Sequence, residues 1–561
     1  MNPILKKLET GNWKLGFTIS DFQFPVSSFS QFLTNCFPIL AKLKEFASFV
    51  FQNSSSNTQS AVDFPRSNIN KIPFRWIIAG VLLIVLFSIL YFLSNDFAKA
   101  VPLQNRPILS MTAVLLLAGL AFMFISELVR HSQTSRKLMI WILATGAIMR
   151  GFMMVSTVIL EVDYHRYLWD GAVTANGFNP YQFSPDEIVA AVKSPADFPN
   201  GNKIPSELIA LAKEPGATIF DINHSYLRTI YPPMTQAAYA LAYFINPWGL
   251  YAWRFVLLIV DLLTLVLLFS ILRYLNLSPL WISIYWLNPL LIKESFNSGH
   301  MDLLIFPFLL AAFIFLFRQK PYWAATFLAL AIGVKIWPLI LLPVFLRQLI
   351  PDYKKILGVL TLLGSICFVL FLPIVITGVD ESSGFNAYGN RWQLNDAAFK
   401  IFLGISYVFL KITGQPTWEA YALARKIVLL VSAGWIIYIT LQKTDEPRRI
   451  VDQCLIIIAA IYLISPTQFP WYVVWLIPFL ALNPRRPLLL LTAMLPIYYF
   501  RYYFEAIGRV ELFDYFIVWL EFGPVWFYIF YEWRNNRRLN GPATFLISKP
   551  SLILKRLKEK G

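Results

Sequence analysis

Charge is what this chain has least of: Asp, Glu, Lys and Arg make up 14% of its 561 residues, against 57% hydrophobic. A water-soluble globule of this length needs a far more polar exterior, so that class is excluded. Cysteine is scarce as well. Cys36, Cys367 and Cys454 lie far apart with no CxxC spacing and no neighbouring His, which argues against a disulfide framework or a thiolate metal site. The signatures GxxxxGK(S/T), GxGxxG after a strand and HExxH are missing, so ATP-driven transport and a Rossmann-type nucleotide-sugar domain have no support. With no DxD pair in the polar loops, no metal is called for, and no cofactor is expected. No apolar run opens the chain, because the first begins about 75 residues in; a cleavable signal peptide is therefore not expected.

The formal net charge of +16 does not point to nucleic acid. Its basic residues form short clusters between apolar runs, with no basic domain and no aromatic-interleaved motif. They read as topology determinants instead.

What the chain does have is hydrocarbon, including 48 Phe and 18 Trp. Runs of about 20 apolar residues, the length that crosses ~30 Å of bilayer as a helix, recur from Arg75 onward. Strand-like alternation is absent, so the predicted class is an all-α polytopic membrane protein. Candidate spans fall near 75–94, 107–129, 138–160, 250–272, 279–294, 303–317, 356–377, 419–441, 450–465, 470–482, 487–500 and 511–532, about twelve crossings. With the N-terminus inside, the clusters Arg130/Arg136/Lys137, Arg273, Arg318/Lys320, Arg347/Lys354/Lys355, Lys443/Arg448/Arg449 and Arg485/Arg486 all face the cytoplasm. This predicts a multi-pass protein of the inner (plasma) membrane with both termini cytoplasmic. Residues 1–74 read as a cytoplasmic segment, with an amphipathic stretch FSQFLTNCFPILAKLKEFASFVF and a polar linker QNSSSNTQS. Residues 75–533 read as the transmembrane domain and 534–561 as a basic cytoplasmic tail.

The stretch between Lys320 and Arg347 is too short to cross twice. Broken near Pro338, it would form a re-entrant pair with Lys335 at membrane depth, facing a polar cavity. The alternative is one long helix from which Lys335 snorkels.

This topology places the loop Glu161 to Ile230, about 70 residues long, on the outer face. Connections have a median of ~4–6 residues, so this one carries more than linkage. Its apolar pieces EIVAAV and SELIALA predict short helices. VDYHRYLWDG opens it, directly after an apolar helix. Asp163 would lie at headgroup level, where scarce water raises a carboxyl pKa and fits it to take a proton. Arg166 is one helical turn away, and Asp170 falls on the same face if the segment is helical. A plain ion-paired cap, Asp163 with Arg166, is the competing reading. Farther on, His300 and Asp302 sit at the mouth of a helix pair above Lys293 and Glu294, a setting that could hold a phosphate or diphosphate. SPTQFPWYVVW, with Trp471 and Tyr472, is either an interfacial aromatic belt or a sugar-stacking surface.

DYHRYLWDG, GFNPYQFSPDE, TIYPPMTQ, WLNPLLIKESFNSGHMD, ALAIGVKIWPLILLPVFLR and LISPTQFPWYVVWLIPFLAL, in that order, resemble the blocks of the GT-C superfamily of integral-membrane glycosyltransferases. The likeness is greatest to glycosyltransferase family 87 and the related polyprenol-phosphate-mannose-dependent mannosyltransferases, and covers roughly 137–500. It implies a GT-C-like bundle plus the re-entrant pair. It also implies transfer of a hexose, mannose foremost, from a polyprenyl-phosphate sugar to a lipid-linked or glycan acceptor on the outer face, with inversion. Nucleotide sugars are cytoplasmic, so an outward site needs a donor that arrives through the bilayer. Asp163 occupies the place of the family's general base. His300, Lys335, Arg228 and Lys293 are the candidates for the donor phosphate, and Arg166, Asp170, Asp302, Tyr231, Trp471 and Tyr472 for sugar or acceptor. The expected partners are membrane lipid, that donor and that acceptor, with no nucleic acid. His165, standing between Tyr164 and Arg166, departs from the family pattern and puts the role of Arg166 in doubt. A lipid or sugar transporter or flippase is the runner-up, although such carriers show paired interrupted halves and only one interrupted segment is present here. A non-catalytic scaffold is the third reading, and would need neither Asp163 nor Lys335.

Overall fold

The computed structural model describes residues 71–193, 204–442 and 446–540, with side chains described as far as 535. The amphipathic N-terminal stretch, its polar linker, Cys36, Lys443 and the tail beyond Asn540 lie outside the described residues. Seven helices are long and apolar enough to cross a bilayer: Phe74–Phe97, Ile108–Arg130, Arg136–Val155, Leu250–Tyr274, Tyr353–Thr377, Thr417–Thr440 and Val510–Asn535. A bent pair, Pro289–Asn297 with Met301–Phe317, turns through 103° and makes an eighth if counted as one crossing. Among the described residues this supports seven or eight long spans, and the expected twelve is not confirmed. Several apolar runs are instead short pieces, among them Pro321–Val334, Trp337–Arg347 and Pro470–Leu482. Hydropathy reads a run the same whether it is one helix or two, whereas a proline that cannot donate divides it.

The outward surface is itself apolar. Phe368 and Ile376 on Tyr353–Thr377 are 62% and 74% exposed, as suits a helix that meets lipid rather than water.

Three helices lead to the loop that opens at Glu161: α1 (Phe74–Ser94), α2 (Ile108–Met123) and α3 (Arg136–Val155). The expected run of helix to residue 160 is corrected here, because α3 stops at Val155 and an extended strap, Ser156–Val162, follows. Hydrogen bonds from distant side chains explain why it is not helical. Asn297 accepts from the Ile159 N–H at 3.0 Å and donates to Ser156 Oγ and Thr157 O, both at 2.7 Å. Ser94 Oγ accepts from the Thr157 N–H at 3.2 Å. With its backbone groups satisfied from outside, the strap has no need of an i→i−4 ladder.

After the strap come α4 (Tyr164–Ala175), α5 (Pro185–Lys193), α6 (Ser206–Ala212), α7 (Pro233–Ile245) and α8 (Leu250–Tyr274). The short helices expected in this loop are present: α5 carries EIVAAV and α6 is SELIALA. α4 lies along α7 at a close approach that only glycine permits. A Cβ on Gly171 would stand 2.5 Å from the Tyr239 carbonyl oxygen, which is backbone and cannot swing aside. Gly171→Ala is therefore expected to cost about 1–3 kcal/mol, the usual range for overpacking, read as a lowered midpoint in a circular-dichroism melt.

A buried polar anchor joins α3 to α8. Arg150 Nε lies 2.6 Å from Asp261, its Nη1 donates to the Trp286 carbonyl at 2.7 Å, and Tyr285 donates to the other Asp261 oxygen at 2.5 Å. The guanidinium also sits 3.6 Å over the Trp286 ring. Charge, hydrogen bonds and stacking together offset most of the cost of holding this pair inside, although Arg150 Nη2 is buried without a hydrogen-bond partner.

The basic clusters collect at one end of the bundle. Arg486 and Arg130 share Glu127, Arg448 donates to the Leu275 carbonyl, and Arg485 pairs with Asp452 at 2.5 Å. The opposite end gathers the strap, α4, Asp302 and the 380s turn, where Arg228 meets Asp380 at 2.6 Å.

Candidate active site

Asp163 sits at the junction of strap and α4, half-buried, immediately before the first helical residue. Burial lifts its carboxyl to about 6, although Lys335 and Arg166 pull it down; the negative charge of Asp302 adds to the rise. Tyr167, one turn along α4, donates its hydroxyl to Asp163, and the same oxygen lies 3.4 Å from His300 Nδ1. The ion-paired cap is not what forms. Arg166 donates instead to the Leu227 carbonyl, with its Nε 4.0 Å from Asp170, so Asp163 keeps oxygens free for another partner.

Lys335 enters from a different part of the chain. Pro321–Val334 ends at it, in extended backbone (φ −155°, ψ 140°), and the chain resumes as a 3-10 turn from Trp337 that contains Pro338. This is the interruption expected from the sequence, and it leaves the Lys335 ammonium 2.7 Å from Asp302, with 22% of the side chain exposed. The ammonium also lies 4.3 Å over Tyr472 and 4.9 Å over Trp475. Trp475 donates its indole N–H to Asp302 at 2.5 Å, so the carboxylate that receives the lysine is itself fixed.

His300 stacks on Trp471 with centroids 4.0 Å apart and planes 15° from parallel. Both of its ring nitrogens face protein groups, Nδ1 toward Tyr167 and Nε2 at 3.5 Å from Glu294. Lys293 is fully buried and engaged by Glu294, Ser298 and Tyr499. Beyond it Glu161 accepts from Tyr502 at 3.1 Å, and burial drives its carboxyl up to about 8.

Asp163, Arg166, His300, Lys335 and Asp302 thus converge, with Trp471 and Tyr472 as the aromatic wall. Tyr231 joins them through Tyr167, ring to ring at 5.1 Å. Asp170 turns away, bound to Thr229 at 2.5 Å and Gln236 at 3.3 Å, where it fastens α4 to the chain ahead of α7. Arg228 goes to Asp380, and no hydrogen bond or ion pair joins it to Asp163, His300 or Lys335 among the described residues. Sequence reasoning missed Tyr167, Trp475 and Glu161. Tyr167 was findable, since it stands four residues after Asp163 on the same helix face; Tyr499 and Tyr502 carry no local signal of their role.

A half-dry carboxylate near a cation, beside aromatic rings, can take a proton from a hydroxyl while the cation steadies a departing anion. Residues 230–466 match the sequence model of glycosyltransferase family 87. The matched region holds Tyr231, His300, Asp302 and Lys335, while Asp163 precedes it and Trp471, Tyr472 and Trp475 follow it. No curated protein and no solved structure shows a match. Over residues 230–466 this chain is similar to glycosyltransferase family 87, and the likeness, on a bundle of apolar membrane helices, supports a membrane glycosyltransferase.

Proposed function

We propose that the chain transfers a hexose, with mannose the first choice, from a polyprenyl-phosphate sugar to a lipid-linked or glycan acceptor on the outer face of the membrane. The observation that carries this reading is the approach of two opposite groups from separate parts of the chain: Asp163 where the strap meets α4 and Lys335 at the helix break. Asp163 takes the acceptor hydroxyl proton as that oxygen bonds to the anomeric carbon. The carbon–oxygen bond to phosphate breaks, and the polyprenyl phosphate leaves with the electron pair. One displacement inverts the anomeric centre. Lys335 balances the charge that grows on the departing phosphate, and Asp302 with Trp475 sets its position. His300 is read as supporting Tyr167, which its Nδ1 approaches at 3.4 Å, while its Nε2 is buried 3.5 Å from Glu294 without a hydrogen-bond partner.

The donor class is tested by supplying purified protein with a polyprenyl-phosphate hexose or with uridine- or guanosine-diphosphate sugars. Turnover is expected only with the first, and turnover with a nucleotide sugar overturns the assignment.

The pH dependence has a definite sign. A base whose carboxyl sits at about 6 is protonated, and idle, below that value. kcat/KM should therefore be flat above neutrality and fall on acidification, to about a tenth of its plateau one unit below the midpoint. A pH–rate profile checks this; a midpoint near 4, that of an ordinary carboxylate, would remove Asp163 as the group observed.

A further inference from the structure

Against the strap lies a hollow of about 420 Å³ whose lining includes neither Asp163 nor Lys335. Its walls are the strap itself, Lys99 and Arg106 from the turn between α1 and α2, and Tyr251 and Arg254 from α8. That turn lies outside the matched residues 230–466, so the family likeness says nothing of it.

The hollow is short of negative charge. Arg254 is 1% exposed, and its guanidinium donates to three backbone carbonyls, those of Met154, Ser156 and Asn297, while its Nε is buried with no partner. No carboxylate pairs with it among the described residues. Arg106 likewise gives its Nε to a carbonyl, that of Val101, at 3.0 Å. Lys99 is already balanced by Asp221. The remaining acid, Glu161, has its carboxyl pushed up to about 8 by burial, which weakens it as a counter-charge. A guanidinium kept inside by dipoles alone lacks the counter-charge that buried cations normally have.

The position says what could bring one. α1 and α3 end beside the hollow and α8 begins there, so its rim stands where apolar spans give way to polar chain. Val155 and Tyr251 on that rim are 49% and 63% exposed. Lipid headgroups occupy this level of a bilayer, and Arg is the side chain best shaped to receive their phosphate. We propose that the hollow is a second binding site, for a phosphate ester, distinct in its lining from the site around Asp163. A lipid headgroup and free phosphate share that chemistry, and the rim at the ends of the spans favours the lipid.

The test is calorimetric titration of the full chain in uncharged detergent, with short-chain phosphatidylglycerol in one arm and inorganic phosphate in the other. No sugar is present, so the outcome is independent of transfer. Arg106→Gln is the informative variant, because Arg106 stands at the wall while Arg254 also fastens the strap. The lipid is expected to bind the wild type, about tenfold more weakly to Arg106→Gln, and with unchanged affinity to Lys335→Met. Lipid binding at least tenfold tighter than phosphate assigns the headgroup; equal affinities with the same loss in Arg106→Gln assign the free ion. Failure of both ligands to bind, or binding that Lys335→Met abolishes and Arg106→Gln leaves intact, overturns the proposal.

Discussion

Asp163→Asn is expected to lower hexosyl transfer by about 10²–10⁴-fold, the range for losing a positioned general base, with little change in the melting midpoint. The amide keeps the size of the carboxylate and can still accept from Tyr167, so α4 has no reason to move. What it loses is the capacity to take a proton. The measurement is single-turnover transfer from a polyprenyl-phosphate hexose by purified variant, beside a circular-dichroism melt of the same sample. A rate within a few-fold of wild type would reassign the base. Glu161 is the nearest alternative carboxyl in sequence, yet burial pushes its carboxyl up to about 8, which makes it a poorer base at neutrality than Asp163.

Lys335→Met should be comparably severe, about 10²–10³-fold in kcat, since on the proposed mechanism it withdraws the cation facing the leaving phosphate. It also strips Asp302 of its partner. Asp302 has only 4% of its side chain exposed, so an uncompensated carboxylate is left inside. The stability loss should nevertheless fall short of the ~3–5 kcal/mol of a wholly buried pair, because 22% of the Lys335 side chain already meets solvent. The double variant Lys335→Met with Asp302→Asn separates the two effects. Removing the orphaned charge should restore most of the melting midpoint and none of the transfer. Recovery of transfer in the double variant would mean that Lys335 served only to neutralise Asp302.

Much of this arrangement was legible in the sequence, and what was not has a physical cause. The helix break at Lys335 could be read because Pro338 and the flanking basic clusters leave too little chain to cross twice. The short helices of the 161–230 loop showed in their own apolar spacing. Long spans number seven or eight among the described residues rather than the twelve apolar runs counted, because hydropathy does not register breaks and bends such as the 103° turn before Met301. The strap was invisible for a related reason. Ser156 to Val162 continues the apolar pattern of α3, and side chains remote in sequence, Asn297, Arg254 and Ser94, pull it out of helix. The pairing of Lys335 with Asp302 was equally remote. Both residues stood out as site candidates, but their joining depends on tertiary folding that no local window contains.

That the strap is held from Asn297, Ser94 and Arg254 has a bearing on how such a protein can diversify. The membrane-embedded frame fixes the strap that leads to Asp163, and between Asn176 and Arg228 the loop meets the start of α4 through Thr218, which donates to the His165 carbonyl at 2.9 Å, and Leu227, which receives Arg166, leaving α5 and α6 outside those hydrogen bonds. Insertions or deletions there could reshape what the surface greets while the reacting atoms keep their coordinates. Recognition can drift in one region as chemistry stands still in another.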